Sequence, residues 1–205
     1  MKVAILFARP DSNYKLLEEV EVYDLQRNAL NFPGGMSIVA HPPCRTWGAM
    51  SHMKHVTRDA DEHNLAIWAV GQVRQWGGVL EHPAASKLWK SMPLPESGRD
   101  EWGGFTLGVD QLWWGHVASK PTKLYIVGCD PKEVPQMPLR IQLAHKTIAG
   151  IKGKPGHRCT QQEREHTPLA FANWLVALAR LTRPFPKTWC FLCNSYEFRG
   201  VSHLT

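Results

Sequence analysis

Two side chains with reactive chemistry follow two short apolar runs of this sequence. Cys44 comes after residues 38–43, which end in two prolines, and Glu81 comes after residues 79–80, just before another proline. Valine, isoleucine and leucine fill these runs, and proline ends a strand because it cannot donate a ladder hydrogen bond. Each run therefore predicts a strand that ends beside a reactive side chain. The helical pattern over residues 58–76 between them predicts a right-handed crossover, which brings both strand ends to one sheet edge.

A thiol and a carboxyl group that face one cleft suit addition to a pyrimidine ring. The Cys44 sulfur would attack C6, and Glu81 would protonate or hydrogen-bond N3, so that C5 becomes nucleophilic. His41 and His82 flank the same strand ends, and either could activate the thiol or move a proton. The alternatives are that Cys44 is a small buried hydrophobe, Glu81 a loop or cap residue, and each histidine a partner of the backbone.

The elements that must position these residues follow from hydrophobic periodicity. Apolar or alternating segments predict strands over residues 3–8, 20–24, 37–41, 79–83, 105–113 and 123–127. Helical patterns or turns occupy residues 12–19, 26–31, 58–76, 84–90 and 167–181. In the last helix Thr167 is the predicted cap and Pro168 the first residue. Strands alternating with helices predict an α/β sheet, with one domain over residues 1–182 and a C-terminal tail over residues 183–205.

Composition predicts a soluble globular protein of the cytoplasm. Charged residues make up 20% of the 205 residues, no apolar stretch approaches a membrane span, and the N-terminus lacks the pattern of a signal peptide. The odd number of five cysteines argues against a secreted disulfide framework. The net charge of +6 is compatible with a partner that carries phosphates, such as DNA or a pyrimidine nucleotide.

The motifs around Cys44 and Glu81 resemble those of the DNA cytosine-5 methyltransferases. Pro42-Pro43-Cys44 matches the nucleophile motif of that family, and Leu80-Glu81-His82-Pro83 stands where the family carries Glu-Asn-Val or Glu-Asn-Pro. Over about residues 1–180 the chain is most similar to short methyltransferase-like proteins encoded by bacteriophages. The resemblance implies a Rossmann-like, methyltransferase-type fold with a mostly parallel sheet and flanking helices. It also implies S-adenosylmethionine as the cofactor, a pyrimidine in DNA or in a nucleotide as the substrate, and the host cytoplasm as the location.

The resemblance further implies residues for the cofactor and for the substrate. The segments after the first two strands would hold the cofactor through Phe7, Arg9, Asp11, Ser12 and Asp24. The first of these segments has no glycine, and its arginine and serine would also suit a phosphate. Residues 111–122 are similar to the family's next motif, so the substrate residues would be Pro43, Gln111, Lys120 and Thr122.

Two further residues near that motif are candidates for substrate contact on their own chemistry. Trp114 could cap a base by stacking, and His116 could line the cleft. For Trp114, the alternative is an aromatic side chain of the core.

A second group of reactive residue types lies towards the C-terminus. Cys190 and Cys193 form a Cys-x-x-Cys pair, and His157 and Cys159 lie upstream of it. Two cysteine sulfurs at that spacing, with one more cysteine and one histidine, could bind a structural zinc ion tetrahedrally. The alternatives are free cytoplasmic thiols and a disordered tail.

Three classes of function therefore remain open. The first is an enzyme that modifies a pyrimidine through a covalent adduct at Cys44, by methylation or by another chemistry at C5. The second is a nucleic-acid-binding or nucleotide-binding module on a methyltransferase-like fold that has lost turnover. The third is an interaction protein in which the zinc-like tail is the working part.

Overall fold

Six strands form one sheet in the computed structural model of the chain, which describes residues 1–48, 60–138, 143–148 and 157–184. All six strands predicted from the sequence are present: β1 (Val3–Leu6), β2 (Val20–Tyr23), β3 (Ser37–Ala40), β4 (Gly78–Pro83), β5 (Phe105–Asp110) and β6 (Pro121–Val127). The strand order is β2-β1-β3-β4-β6-β5. Strands β1 to β4 pair in parallel, and β6 lies antiparallel to both β4 and β5. The predicted α/β class is confirmed, and the sheet is mixed.

Helices cover both faces of this sheet. The α-helices of the described residues are α1 (Ala60–Trp76), α2 (Leu88–Ser91), α3 (Gln161–Glu165) and α4 (Leu169–Leu181). Short 3-10 turns occur over Asn13–Leu16, Ala29–Asn31, Arg45–Trp47, Gln111–Trp114 and Pro131–Glu133. Within the part of the chain that the structure describes, no helix is both long enough and apolar enough to cross a membrane.

Two apolar layers hold the helices against the sheet. Because successive side chains of a strand point to opposite faces, Val39 and Val79 join the layer under α4, whereas Ala40 and Leu80 join the layer under α1. Strands buried on both faces carry apolar residues at consecutive positions. This burial explains why β1, β3 and the first half of β4 read as unbroken apolar runs in the sequence.

Several predicted boundaries are corrected by the local backbone. Strand β1 ends at Leu6, two residues early, because Phe7 adopts a φ of 62°. Strand β5 ends at Asp110, whose carboxylate accepts from the Leu112 N–H and so begins the turn Gln111–Trp114. The last predicted strand begins earlier than expected, at Pro121.

The helical predictions are also adjusted at their ends. The segment 12–19 contains only the turn Asn13–Leu16, and the segment 84–90 becomes a helix only at Leu88. The cap of α4 is Pro168 and not Thr167, because the Pro168 carbonyl accepts the Ala172 N–H.

The chain leaves the sheet layer after α4. The Arg183 N–H donates to the Gly128 carbonyl at 2.9 Å, which fixes this end of the domain beside the end of β6. The predicted tail over residues 183–205 lies outside the described residues from residue 185 onwards.

Close approach of β3 and β4 requires glycine at position 78. Gly78 has a φ of 129°, and a Cβ there would lie 2.1 Å from the Ile38 carbonyl oxygen. We expect Gly78→Ala to lower the free energy of unfolding by about 2 kcal/mol or more, because the strands must separate locally. Gly71→Ala is the control, since Gly71 lies within α1 with open space around it.

The control substitution should leave stability unchanged or raise it by about 0.5–1 kcal/mol, because alanine favours a helix interior over glycine. Denaturant unfolding of both variants measures the difference. Equal stabilities for the two variants would contradict the close approach of β3 and β4.

Candidate active site

The register of β3 and β4 brings His41 and Glu81 together. Ala40 lies opposite Leu80 in this parallel pair, so the next residue along each strand, His41 or Glu81, lies at the same level of the sheet. The His41 backbone N–H donates to the Leu6 carbonyl at 3.0 Å, which continues the alignment past the end of β3. As a result, His41 Nδ1 lies 3.1 Å from Glu81 Oε2.

Glu81 receives one donor on each carboxylate oxygen. His41 Nδ1 is the hydrogen-bond partner of Oε2, and Gln111 Nε2 donates to Oε1 at 2.9 Å. Burial alone would raise the pKa of Glu81, but the hydrogen bond from His41 and the charge of Lys120 outweigh it and lower the pKa to about 2. The side chain is 11% exposed, so Glu81 is a nearly buried carboxylate at neutral pH.

The hydrogen bonds around Glu81 continue in both directions. On one side, His41 Nε2 lies 2.8 Å from the Tyr14 hydroxyl. On the other side, Gln111 Nε2 also donates to Thr122 Oγ1 at 3.1 Å, and that hydroxyl donates to the Lys120 carbonyl. A chain of polar groups therefore runs along this edge of the sheet from the turn Asn13–Leu16 to the start of β6.

Cys44 lies just beyond the end of β3 and begins the turn Arg45–Trp47. The residue is exposed, yet the protein on its inner side desolvates the thiol. This desolvation and the Glu81 carboxylate raise the pKa of Cys44, whereas Lys120 acts in the opposite direction. Cys44 follows β3, and Glu81 follows the part of β4 that pairs with β3 in parallel, so both residues lie at the same edge of the sheet. At neutral pH this site holds a carboxylate and a neutral thiol.

His82 lies on the opposite face of β4 from Glu81, because the two are consecutive in the strand. It is fully buried, and neither of its ring nitrogens makes a well-formed hydrogen bond to the residues that the structure describes. Burial lowers the pKa of His82 to about 4, although the Glu81 carboxylate and the Pro43 carbonyl act against this effect. Of the two predicted histidines, only His41 contacts Glu81.

The predicted substrate residues divide into two groups. Gln111 and Thr122 belong to the polar chain, the charge of Lys120 acts on both Glu81 and Cys44, and Pro43 is half-buried beside the thiol. Gln111 and Thr122 therefore belong to the same hydrogen-bonded group as Glu81.

Trp114 and His116 form the second group, which belongs to the core. Trp114 is 5% exposed and packs against Phe171 and Trp174, with ring centroids 4.8 Å and 5.0 Å away. Both ring nitrogens of His116 meet backbone carbonyls, at Ala118 and Glu163. In this arrangement neither side chain is free to contact a substrate.

The segment after β1 is closed by its own contacts. Arg9 pairs with Asp11 and with Glu165 of α3, and Ser12 caps the turn that follows by accepting from the Tyr14 N–H. Phe7 makes an edge contact with Trp68 of α1, with ring centroids 5.9 Å apart.

Asp24, which would hold the ribose of S-adenosylmethionine, is already occupied. Lys15 Nζ lies 2.7 Å from one oxygen, and the other accepts the N–H groups of Gln26 and Arg27. The hydrogen bond from Lys15 lowers the pKa of Asp24, as do the backbone donors. With this carboxylate satisfied and Arg9 in the turn after β1, these residues do not fit the cofactor as they stand.

Only two of the four predicted zinc ligands lie among the described residues. His157 is exposed and Cys159 is buried, with the Cys159 N–H bonded to the Thr147 carbonyl. Cys190 and Cys193 lie outside the described residues. Within residues 1–48, 60–138, 143–148 and 157–184 no group of three or more potential ligands could hold a metal ion.

Comparison of the chain with protein-family models, with curated proteins and with solved structures gives no match.

Tyr14 is the residue at this site that the sequence analysis missed. It lies in the segment predicted as a short helix, 27 residues from its partner His41. Its only signal in the sequence is an aromatic residue shortly after a predicted strand that ends at the same sheet edge.

The buried His82 makes stability depend on pH. Its pKa is about 4 in the folded protein and about 6.5 when unfolded, so acid protonates the unfolded chain first and favours unfolding. Between pH 7 and pH 5 we expect the free energy of unfolding to fall by about 2 kcal/mol through this residue.

His82→Leu should remove this part of the pH dependence, because leucine has no group to titrate. Denaturant unfolding of the wild type and the variant at several pH values measures it. Parallel pH profiles for the two proteins would show that His82 titrates normally.

Proposed function

We propose that this protein is an enzyme that modifies a pyrimidine through a covalent bond between Cys44 and C6. The observation that carries the proposal is the pairing of the thiol with a carboxylate that is kept ionised at the same sheet edge. Carboxyl edges of parallel strands are where α/β proteins bind ligands. The strand order also supports a methyltransferase-type fold, because the final strand is reversed and inserted between β4 and β5.

Addition to the pyrimidine can start from a neutral thiol and a carboxylate, so the resting enzyme needs no thiolate at Cys44. The Cys44 sulfur bonds to C6 while its proton passes through Glu81 to N3 of a cytosine or O4 of a uracil. The electron pair of the C5–C6 double bond moves to form a C4–C5 double bond, which makes C5 nucleophilic. Solvent then protonates C5, the original C5 hydrogen leaves to solvent, and the sulfur is expelled and regains its proton from the ring through Glu81, so that the pyrimidine returns with its C5 hydrogen exchanged. This exchange needs no second substrate.

Polar groups beside Glu81 support ligand binding at the same place. Gln111 donates through Nε2, but its Oε1 is buried without a partner among the described residues. A buried acceptor left unpaired costs free energy, which a donor on a ligand would recover. Lys120 makes no ion pair with the residues that the structure describes, and its half-buried ammonium could neutralise a substrate phosphate. We therefore place DNA or a pyrimidine nucleotide at this edge, in a protein of the cytoplasm.

Exchange of the C5 hydrogen in deuterated water tests this proposal. We expect the H5 proton signal of deoxycytidine or deoxyuridine, offered as mononucleotides, single strands or duplexes, to disappear with the wild-type protein. Cys44→Ser should reduce the rate by about a thousandfold or more, because a serine hydroxyl is a far weaker nucleophile. Glu81→Gln should reduce it by about a hundredfold, since the amide transfers no proton.

Cys129→Ser is the matched control. Cys129 is also a free cysteine, but it is buried and its sulfur donates to the Asp130 carbonyl. This variant should exchange C5 hydrogen at the wild-type rate. Exchange that survives Cys44→Ser, or its absence from the wild type with every substrate, would refute the enzymatic proposal.

A binding module without turnover is the second candidate, and two observations favour it. The pKa of Cys44 is raised, so the resting thiol is a poor nucleophile, and Asp24 is occupied by Lys15. This candidate predicts that a labelled oligonucleotide or nucleotide binds the wild type and Cys44→Ser equally, without exchange at C5.

For the tail, we propose a structural zinc ion held by His157, Cys159, Cys190 and Cys193, on the strength of ligand type and spacing. Elemental analysis should find one zinc per chain in the wild type and in Cys129→Ala, and less in Cys190→Ala. Equal zinc contents in all three proteins, or none in the wild type, would refute this site.

A further inference from the structure

The bond between His41 and Glu81 depends on which nitrogen of the imidazole carries the proton. Glu81 Oε2 is an ionised acceptor, so Nδ1 must present an N–H to it across 3.1 Å. In a neutral ring Nε2 is then a bare acceptor. The alternative tautomer would point the Nδ1 lone pair at the carboxylate and leave Oε2 without its only side-chain donor among the described residues.

The Tyr14 hydroxyl is placed to reinforce the tautomer that the Glu81 carboxylate requires. It lies 2.8 Å from His41 Nε2, and Tyr14 is 1% exposed. Which ring nitrogen of a histidine is protonated is set by the hydrogen bond that the other makes. A hydroxyl that donates to Nε2 fixes the proton on Nδ1, and burial limits access of water that could replace it.

We propose that Tyr14 is a positioning residue, which acts through the tautomer of His41 to hold the Glu81 carboxylate in place for proton transfer. Tyr14 does not touch the reacting atoms. Its role follows from the series of contacts from Tyr14 to His41 and from His41 to Glu81. The catalytic consequence rests on the proposed function, whereas the tautomer is a property of the folded protein alone.

Two other properties of Tyr14 support this role. Burial and the nearby Glu81 carboxylate raise the pKa of Tyr14 well above its ordinary value, so the phenol remains a neutral donor. Ser12 caps the 3-10 turn that carries Tyr14, and Asn13 donates to the Thr167 carbonyl. The hydroxyl is therefore held by a turn that is tied to the chain just before α4.

Nitrogen-15 NMR of the histidine side chains tests the tautomer directly. In the wild type at neutral pH, we expect His41 to show a protonated Nδ1 and an unprotonated Nε2. In Tyr14→Phe the Nε2 acceptor loses its donor, and we expect a mixture of the two tautomers. A wild-type spectrum with the proton on Nε2 alone or on both nitrogens would overturn the proposal, and so would a tautomer that Tyr14→Phe leaves unchanged.

The rate of C5 exchange tests the catalytic consequence. For Tyr14→Phe we expect at least a tenfold fall in the rate at saturating substrate, with KM changed by less than twofold, because substrate contacts remain. Tyr125→Phe is the matched control. Its hydroxyl is also hydrogen-bonded, to Asp100 and Arg74, but it lies in the apolar layer under α1.

The two measurements separate this inference from the proposed function. If the wild type shows the expected His41 tautomer but exchanges no C5 hydrogen, the enzymatic function is refuted, whereas the effect of Tyr14 on the tautomer is not. Wild-type exchange that is unaffected by Tyr14→Phe would refute the positioning role and leave the function standing. A fall in rate with Tyr125→Phe equal to that with Tyr14→Phe would also refute it, because loss of any buried hydroxyl would then be enough.

Discussion

The desolvated carboxylate of Glu81 is the constraint around which this edge of the sheet is built. An ionised carboxyl group with 11% of its surface exposed is stable only when other groups replace the water it has lost. His41 and Gln111 replace it with one hydrogen bond to each oxygen, and Lys120 adds a positive charge. His41 follows β3, Gln111 follows β5 and Lys120 precedes β6, so the ionised state of Glu81 requires the assembled sheet.

This constraint also decides the state of the thiol. The charge of Glu81 disfavours a second negative charge at Cys44, and local desolvation acts in the same direction. The site is therefore arranged as a base beside a thiol, in contrast to the thiolate and carboxylic acid with which addition to a pyrimidine is usually written. A thiol with a carboxylate and a thiolate with a carboxylic acid contain the same number of protons. They differ only in which group carries one proton before the sulfur attacks the ring. In the proposed reaction, Glu81 would receive that proton and return it to the ring.

The edge beyond β1 and β2 is arranged differently. Here the charges are paired within the protein: Arg9 with Asp11 and Glu165, and Lys15 with Asp24. The exposed segment around Cys44 therefore differs from the segment after β1 and from Asp24, where the charged side chains are paired with one another. A fold of this kind does not by itself define the reaction, and the chemistry at C5 has to be established from the site.

The sequence alone determined the α/β class, the six strands, and the positions of Cys44 and Glu81 beyond the parallel-paired parts of the neighbouring strands β3 and β4. Periodicity and proline carry that information locally, and the parallel crossover between β3 and β4 follows from chain geometry. Helix and strand ends were less predictable, because Phe7, Asp110 and Pro168 end or begin elements through single backbone dihedrals and hydrogen bonds.

Only the tertiary structure decided what these side chains are able to do. It separated His82 from His41 by the alternation of β4, paired Lys15 with Asp24, and placed Trp114 and His116 in the core. It also brought Tyr14 to His41 across 27 residues. Protonation and hydrogen bonding depend on distances of about 3 Å and on access to water, and these are properties of the folded chain and not of its local pattern.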